Sequence, residues 1–263
     1  MSPESTSASQ PVNAAPAAAP QSFINRLIGV YFSPGETFPE IGRAPRLLIP
    51  ILVLMVVGSV VGYLMIDRIG VRNFFSKQLE PAVASGRMTQ EQANQQLELM
   101  SSGTVGTITK ASFPVVGAIQ GLLMALIVAG VFKLISMMMG TENQFKPLFA
   151  VTIYSFLAIS LISSSLTVLL LFLKSPEEID IQNLIGSNLQ ALLTLAVGKD
   201  GLPKFIMAFA RWIDLFLIWI IILLSIGYAA VSRRLKVSTV AFTLGGICVV
   251  IALIASAISA MTG

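Results

Sequence analysis

The sequence predicts an all-α polytopic membrane protein, with five transmembrane helices, short interfacial helices and an extramembrane helical hairpin. Three observations predict it. Residues of the set AVILMFWYC make up 55% of the 263 residues and charged residues only 11%, where an ordinary domain carries about 25% charged residues. The mean hydropathy is +0.82, more apolar surface than a soluble core of this size can hide. The apolar residues also fall in runs of about 20, the number needed at about 1.5 Å each to cross about 30 Å of hydrocarbon. Inside hydrocarbon each backbone N–H must be satisfied within its own segment, so the runs read as helices.

Residues 1–22 are low-complexity Ser, Ala, Pro and Gln with the single charge of Glu4, and they read as a disordered tail. They lack a basic region before an apolar run, so targeting falls to the first span. The rest, 23–263, reads as one membrane domain. Phe23, Leu27 and Val30 share a helical face, with Asn25 and Arg26 off it. That pattern predicts a short helix in the headgroup layer. Ser33-Pro34-Gly35 suits a type II turn. Thr37 and Glu40 have capping-box spacing, which predicts a second short helix over 37–43, with Pro39 tolerated in its first turn.

The first span is expected over 47–66. A solvated hairpin is expected over 67–112, with helices at 71–84 and 90–100, a break at Ser85-Gly86 and a Thr89–Gln92 capping box. It is too small for a core of its own. It braces the first two spans or, alternatively, offers a partner surface. The second span covers 114–138, with Lys133 near its end, where it can snorkel. The third covers 147–173, with serines at 155, 160 and 163–165. Beyond it Asp180 can cap a helix on which Leu184, Ile185, Leu189, Leu192, Leu193 and Ala196 share a face, an interfacial pattern. The fourth span covers 205–231 and the fifth 237–261.

The chain has no histidine and one cysteine. That excludes a His-based metal site, a Ser-His-Asp triad, a Cys-His pair and a disulfide framework. Phosphate-cradling glycine motifs are absent. No basic stripe with interleaved aromatics is present, so nucleic acid is not an expected partner. The methionines, three of them consecutive at 137–139, read as adaptable packing rather than a metal site. No catalytic residue, cofactor or metal is therefore expected.

Two features stand out inside the spans. Arg211 and Asp214 lie three apart, on one face of the expected fourth helix. An intramembrane ionisable pair is a functional candidate, as a proton or ion relay or a lipid-headgroup site. The plainer reading is a local ion pair that eases the helix end into the bilayer. Gly58 with Gly62, and Gly117 with Gly121, form G-x-x-x-G steps that permit close helix approach. Packing within the chain is the expected use, with homo-oligomerisation as the alternative. Trp219 lies near mid-depth, where packing is its expected role.

Lysines and arginines near span ends do not fix the orientation by count. The tight Ser232–Lys236 connection carries three cations and no acid, and short loops carry most of the rule's weight. That turn and the N-terminus are expected in the cytoplasm, with the C-terminus outside.

Gly140-Thr141-Glu142-Asn143-Gln144-Phe145-Lys146, leading into Phe149-Ala150-Val151 and Tyr154-Ser155, is similar to the second connection and third helix of bacterial Yip1-domain proteins. Asp214, Phe216, Trp219, Leu223 and Gly227, then Ser232, Arg233 and Lys236, resemble that family's D-x-F-x-x-W-x-x-x-L-x-x-x-G pattern and basic turn. Phe32-Ser33-Pro34-Gly35-Glu36-Thr37-Phe38 resembles its S-P-x-x-x-F lead-in. The resemblance covers about residues 23–260 and implies five helices and a cytoplasmic N-terminus, here in a bacterial inner membrane. Eukaryotic members are linked to vesicle trafficking and Rab GTPase binding. This chain lacks their D-L-Y-G-P lead-in and G-Y-x-L-L-P-type step, so GTPase binding is not carried over. The implied function is a non-enzymatic scaffold that recruits a membrane or cytoplasmic protein partner or organises the bilayer. The alternative is a small transporter or channel using Arg211, Asp214 and the third-span serines.

Overall fold

Apolar length and a few capping residues lay out the chain. A computed structural model describes residues 21–176, 178–181, 183–198, 201–232 and 234–262. The tail at 1–20, and Lys199 and Arg233, lie outside the described residues. The elements are α1 (Phe23–Phe32), α2 (Pro34–Arg43), α3 (Leu48–Ile69), α4 (Val71–Ala84), α5 (Gln90–Ser101), α6 (Gly103–Met138), α7 (Phe145–Leu173), α8 (Leu189–Val197), α9 (Lys204–Ala210), α10 (Leu215–Val231) and α11 (Val237–Thr262). Among the described residues there is no strand beyond one isolated bridge, Asn188 with Asp214.

Four helices are long and apolar enough to cross a membrane: α3, α6, α7 and α11. The expected fourth span is not one helix. It is divided into α9 and α10, and α10 is an apolar helix of 17 residues, about 26 Å at about 1.5 Å per residue. The cause is Asp214. Its backbone is extended and its carboxylate accepts hydrogen bonds from the N–H groups of Phe216 (2.9 Å) and Leu217 (3.0 Å). An aspartate placed this way starts a helix rather than riding inside one. The peptide groups exposed at the break are paired with the chain around the start of α8, Leu189 N–H to Ile213 C=O at 2.9 Å and Leu215 N–H to Ser187 C=O at 3.1 Å.

Three other boundaries move. Helix α2 begins at Pro34 rather than 37, because proline at the first helical position is already set for the helix; no type II turn forms there. The hairpin ends at Ser101, and α6 runs on from Gly103 for 36 residues, about 54 Å and longer than the hydrocarbon is thick. The amphipathic stretch is helical only over α8. Asn188 caps it, accepting from Ala191 N–H at 3.0 Å, and Leu184 instead packs with Ile69, Leu171 and Ile179.

The expected capping box at Thr89 and Gln92 is made in both directions, at 3.2 and 2.9 Å. The α4–α5 hairpin is tied to the bundle. Lys77 Nζ donates to the carbonyls of Pro176 and Ile179, and Phe74 meets Phe113 edge-on at 4.8 Å.

Helix α7 is the central post, packed against α1, α2, α3, α6 and α10. Leu148 to Ile159 is buried almost throughout. Its serines mostly turn inward on their own helix: Ser160 bonds Leu157 C=O, Ser163 bonds Ser160 C=O and Ser165 bonds Leu161 C=O. Helices α3 and α6 meet backbone to backbone. A Cβ on Gly58 would lie 2.1 Å from the Gly117 carbonyl oxygen, one on Gly117 2.2 Å from that of Gly58, and one on Gly62 2.5 Å from that of Phe113. Gly121 faces the Leu54 side chain, which a Cβ would approach to 3.3 Å. All four glycines lie at contacts between helices of one chain.

Candidate functional site: the joint between the N-terminal helices and the bundle

Helices of ten residues are marginal alone, so α1 and α2 exist because they are packed. Val30, Phe38 and Ile41 are fully buried. Gly227 makes the seat for Phe38: a Cβ there would lie 2.3 Å from Val151 Cγ1 and 3.1 Å from the Phe38 ring. Tyr31 donates its hydroxyl to the Ala158 carbonyl, and its ring lies 6.0 Å from Trp219. Burial pushes the Tyr31 phenol above its ordinary value, so it stays protonated as a donor. Phe23 sits 6.2 Å from Tyr154, ring to ring. Deeper in, Tyr228 and Thr152 share a 2.6 Å hydrogen bond and Phe132 stacks on Tyr228 at 4.0 Å.

At the centre is a residue that the α1 pattern places on the outer face. Arg26 is 0% exposed. Its guanidinium donates to Glu40 Oε1 and to the Ala44 carbonyl, both at 2.8 Å, beside Tyr154. Pairing with Glu40 is what allows the charge to be buried. The pair is one-pronged: Arg26 Nε and Glu40 Oε2 are buried without a hydrogen-bond partner. Turning Arg26 inward turns Ile24 (62% exposed), Ile28 and Phe32 (83%) outward. Helix α1 is thus apolar on two faces, as a helix wedged between bundle and lipid requires. Glu40 does not form a capping box. Thr37 donates instead to Ser33 C=O at 2.9 Å.

Phe38, Tyr154, Trp219 and Gly227 therefore come together at this joint, from the three helices α2, α7 and α10, and Pro34 opens the first of them. Phe145 stacks on Phe149 at 5.6 Å at the start of α7, and Lys146 is exposed beside it. Asp214 lies at the other end of α10. Arg211 and Asp214 do not share a helical face. Arg211 closes α9 and Asp214 opens α10, with Ser187 Oγ donating to the Asp214 carboxylate. The sequence reading missed the Arg26–Glu40 pair. The available signal was a lone charge in α1 with an acid fourteen residues on.

Four of the eight family-like positions thus meet at the joint, and the family model described as Yip1 domain matches residues 28–259. The chain belongs to the Yip1 domain family. No curated protein and no solved structure matches it. The Yip1 match takes in all four long apolar helices up to the last turn of α11, so this is a multi-pass integral membrane protein. Among the described residues, no group of three or more His, Cys, Asp or Glu could hold a metal ion.

Two of the hollows among the described residues lie at opposite ends of this Yip1 framework. One, of about 950 Å³, adjoins the joint and is lined by Arg43 of α2, Gly140–Gln144, and Val231 and Arg234 around the α10–α11 turn. The other, of about 1110 Å³, lies at the opposite end, where Lys204, Arg211 and Trp212 face Ser256 and Ser259 of α11.

Proposed function

We propose that this Yip1-domain protein is a non-enzymatic scaffold of a bacterial inner membrane, recruiting a protein partner or organising the membrane at the end where α1 and α2 are docked. The observation that carries this reading is the joint. Phe38, Tyr154, Trp219 and Gly227 hold two short helices rigidly to α7 and α10, so the charges around them sit on a fixed frame. The Yip1 family is not a known enzyme family. The segments at the docked end, 23–46, 133–146 and 232–236, hold eight Lys or Arg and three Asp or Glu, whereas 67–110 and 174–214 hold nine of each. Such an excess favours the anionic cytoplasmic leaflet, which supports a cytoplasmic N-terminus.

Affinity purification in mild detergent tests this. Proteins that co-purify with the wild type are expected to fall at least fivefold with Arg46→Glu/Lys146→Glu and to persist with Arg87→Glu on the hairpin. A wild type that captures nothing beyond an unrelated multi-pass control would overturn the reading.

The transporter reading has one observation in its favour, the helix break at 211–214, since broken helices carry sites in transporters. Those breaks lie near the bilayer midplane. This one precedes a 17-residue apolar helix, which puts it at the bundle end. Asp214 is also occupied as a cap. Asp214→Asn keeps an acceptor for the cap, so melting is expected to change by less than about 1 kcal/mol, with ion flux in proteoliposomes equal to the wild type. A flux lost in the variant would establish the transporter instead.

A further inference from the structure

The hollow beside the joint holds three charges that the packing does not use. Arg43 ends α2, Arg234 lies in the turn before α11 and Glu142 lies in the turn before α7; all three line the same space of about 950 Å³. Among the described residues none of the three has an ion-pair partner, in contrast to Arg26 with Glu40 and Lys110 with Asp67. The start of α7 opens on the same space. Gln144 and Pro147 line it, and no side chain caps that helix, so the N–H groups of Phe145 and Lys146 are available to an anion, Pro147 having none. Thr141 and Asn143, also in the lining, are committed elsewhere: Thr141 to the Ser136 carbonyl at 2.7 Å and Asn143 to Thr141 at 3.2 Å. They hold the 140–144 turn in shape rather than filling the space.

Depth narrows the ligand. Apart from α2, every lining element is a span end or a connection beside one. Gly140 follows the end of α6 by two residues, Pro147 is the third residue of α7 and Val231 is the last of α10. A hollow at that level faces the headgroup layer rather than open water.

We propose that this hollow binds the headgroup of a membrane lipid that carries a phosphate and a primary ammonium, a phosphoethanolamine-type zwitterion. Arg43, Arg234 and the first turn of α7 take the phosphate. Guanidinium groups and helix N-termini are both suited to phosphate oxygens. Glu142 takes the ammonium, which donates to its carboxylate. The carboxylate disfavours a purely anionic headgroup. A quaternary ammonium has no N–H to give it. The inference goes beyond the scaffold reading and does not need it, since lipid retention and protein capture can fail separately.

Native mass spectrometry of the full chain, released from nanodiscs of defined composition, tests it. The nanodiscs hold phosphatidylcholine mixed with equal parts of phosphatidylethanolamine and phosphatidylglycerol. The wild type is expected to retain phosphatidylethanolamine at least tenfold over each of the others. Arg43→Gln/Arg234→Gln is expected to lower that retention at least tenfold with an unchanged elution profile. Glu142→Gln is expected to keep lipid bound but move the preference toward phosphatidylglycerol, an exchange of selectivity that misfolding would not produce. Wild-type preference for phosphatidylglycerol, or a preference unmoved by Glu142→Gln, would overturn the proposal. Free O-phosphoethanolamine added to the detergent-solubilised protein is expected to compete weakly. Displacement of the lipid by micromolar amounts of it would refute the lipid assignment in favour of a soluble ligand.

Discussion

Gly58→Leu is expected to be among the most damaging single substitutions in the chain. The Cβ alone would stand 2.1 Å from the Gly117 carbonyl oxygen, and the obstacle is helical backbone rather than the end of a flexible side chain. Helices α3 and α6 must separate along their contact, losing dispersion contacts as well as close approach. Overpacking a core costs about 1–3 kcal/mol and sometimes more. A backbone-on-backbone clash belongs at or above the top of that range, so a loss of about 3 kcal/mol is expected, or a melting temperature lowered by about 6–12 °C at this size. Gly121→Ala meets only the Leu54 side chain, at 3.3 Å, and Gly245→Ala meets nothing within 4 Å. The expected order of melting temperatures in detergent is Gly245→Ala, then Gly121→Ala, then Gly58→Leu far below. A Gly58→Leu protein that melts with the wild type would show that the two helices do not meet as described.

Glu40→Ala is expected to open the joint while leaving the spans in place. It strips Arg26, 0% exposed, of its counter-charge and leaves one carbonyl, that of Ala44, to accept from the guanidinium. Breaking a buried pair costs about 3–5 kcal/mol because a bare charge stays behind. The Glu40 side chain as a whole retains 23% exposure, so the lower end, about 3 kcal/mol, applies. The cost exceeds what two short helices can bear without undocking. Limited proteolysis is expected to cut between 33 and 47 at least tenfold faster, with α7 protected as before. Arg26→Met/Glu40→Leu removes both charges and keeps apolar volume, and is expected to restore most of the protection. Equal cleavage of all three proteins would refute the role given to the pair.

The long apolar runs were legible because nothing in them competes with a membrane helix. Span ends at 138 and 173, the G-x-x-x-G steps and the Thr89–Gln92 cap all depend on neighbours within a few residues. Two elements were misread for the opposite reason. Hydropathy averages over a window, and one aspartate in a long apolar stretch hardly lowers it, although its side chain ends a helix there. The facing segment that supplies Ser187 and Leu189 is distant in sequence, so the stitch that stabilises the break leaves no local mark. Arg26 was misplaced because an amphipathic pattern assigns charges to water. A charge whose partner lies on the next helix, across a turn, obeys a tertiary rule. The residues of the joint were recognisable singly, through the family pattern, but their convergence was not. Phe38 and Gly227 are adjacent only after three long apolar helices, α3, α6 and α7, have intervened.

That separation sets an order of events during synthesis. Arg26, Glu40 and Ala44 lie within nineteen residues, so the ionic lock of the N-terminal helices can close while the first span is still in the ribosome. Its receptor on α7 and α10 emerges much later. For most of translation the finished plug must wait at the membrane surface, held by Ile24, Ile28 and Phe32 against lipid, until the fourth apolar helix arrives to receive Phe38. The outward apolar stripe of α1 is then a mooring for a nascent chain as well as a boundary of the mature one.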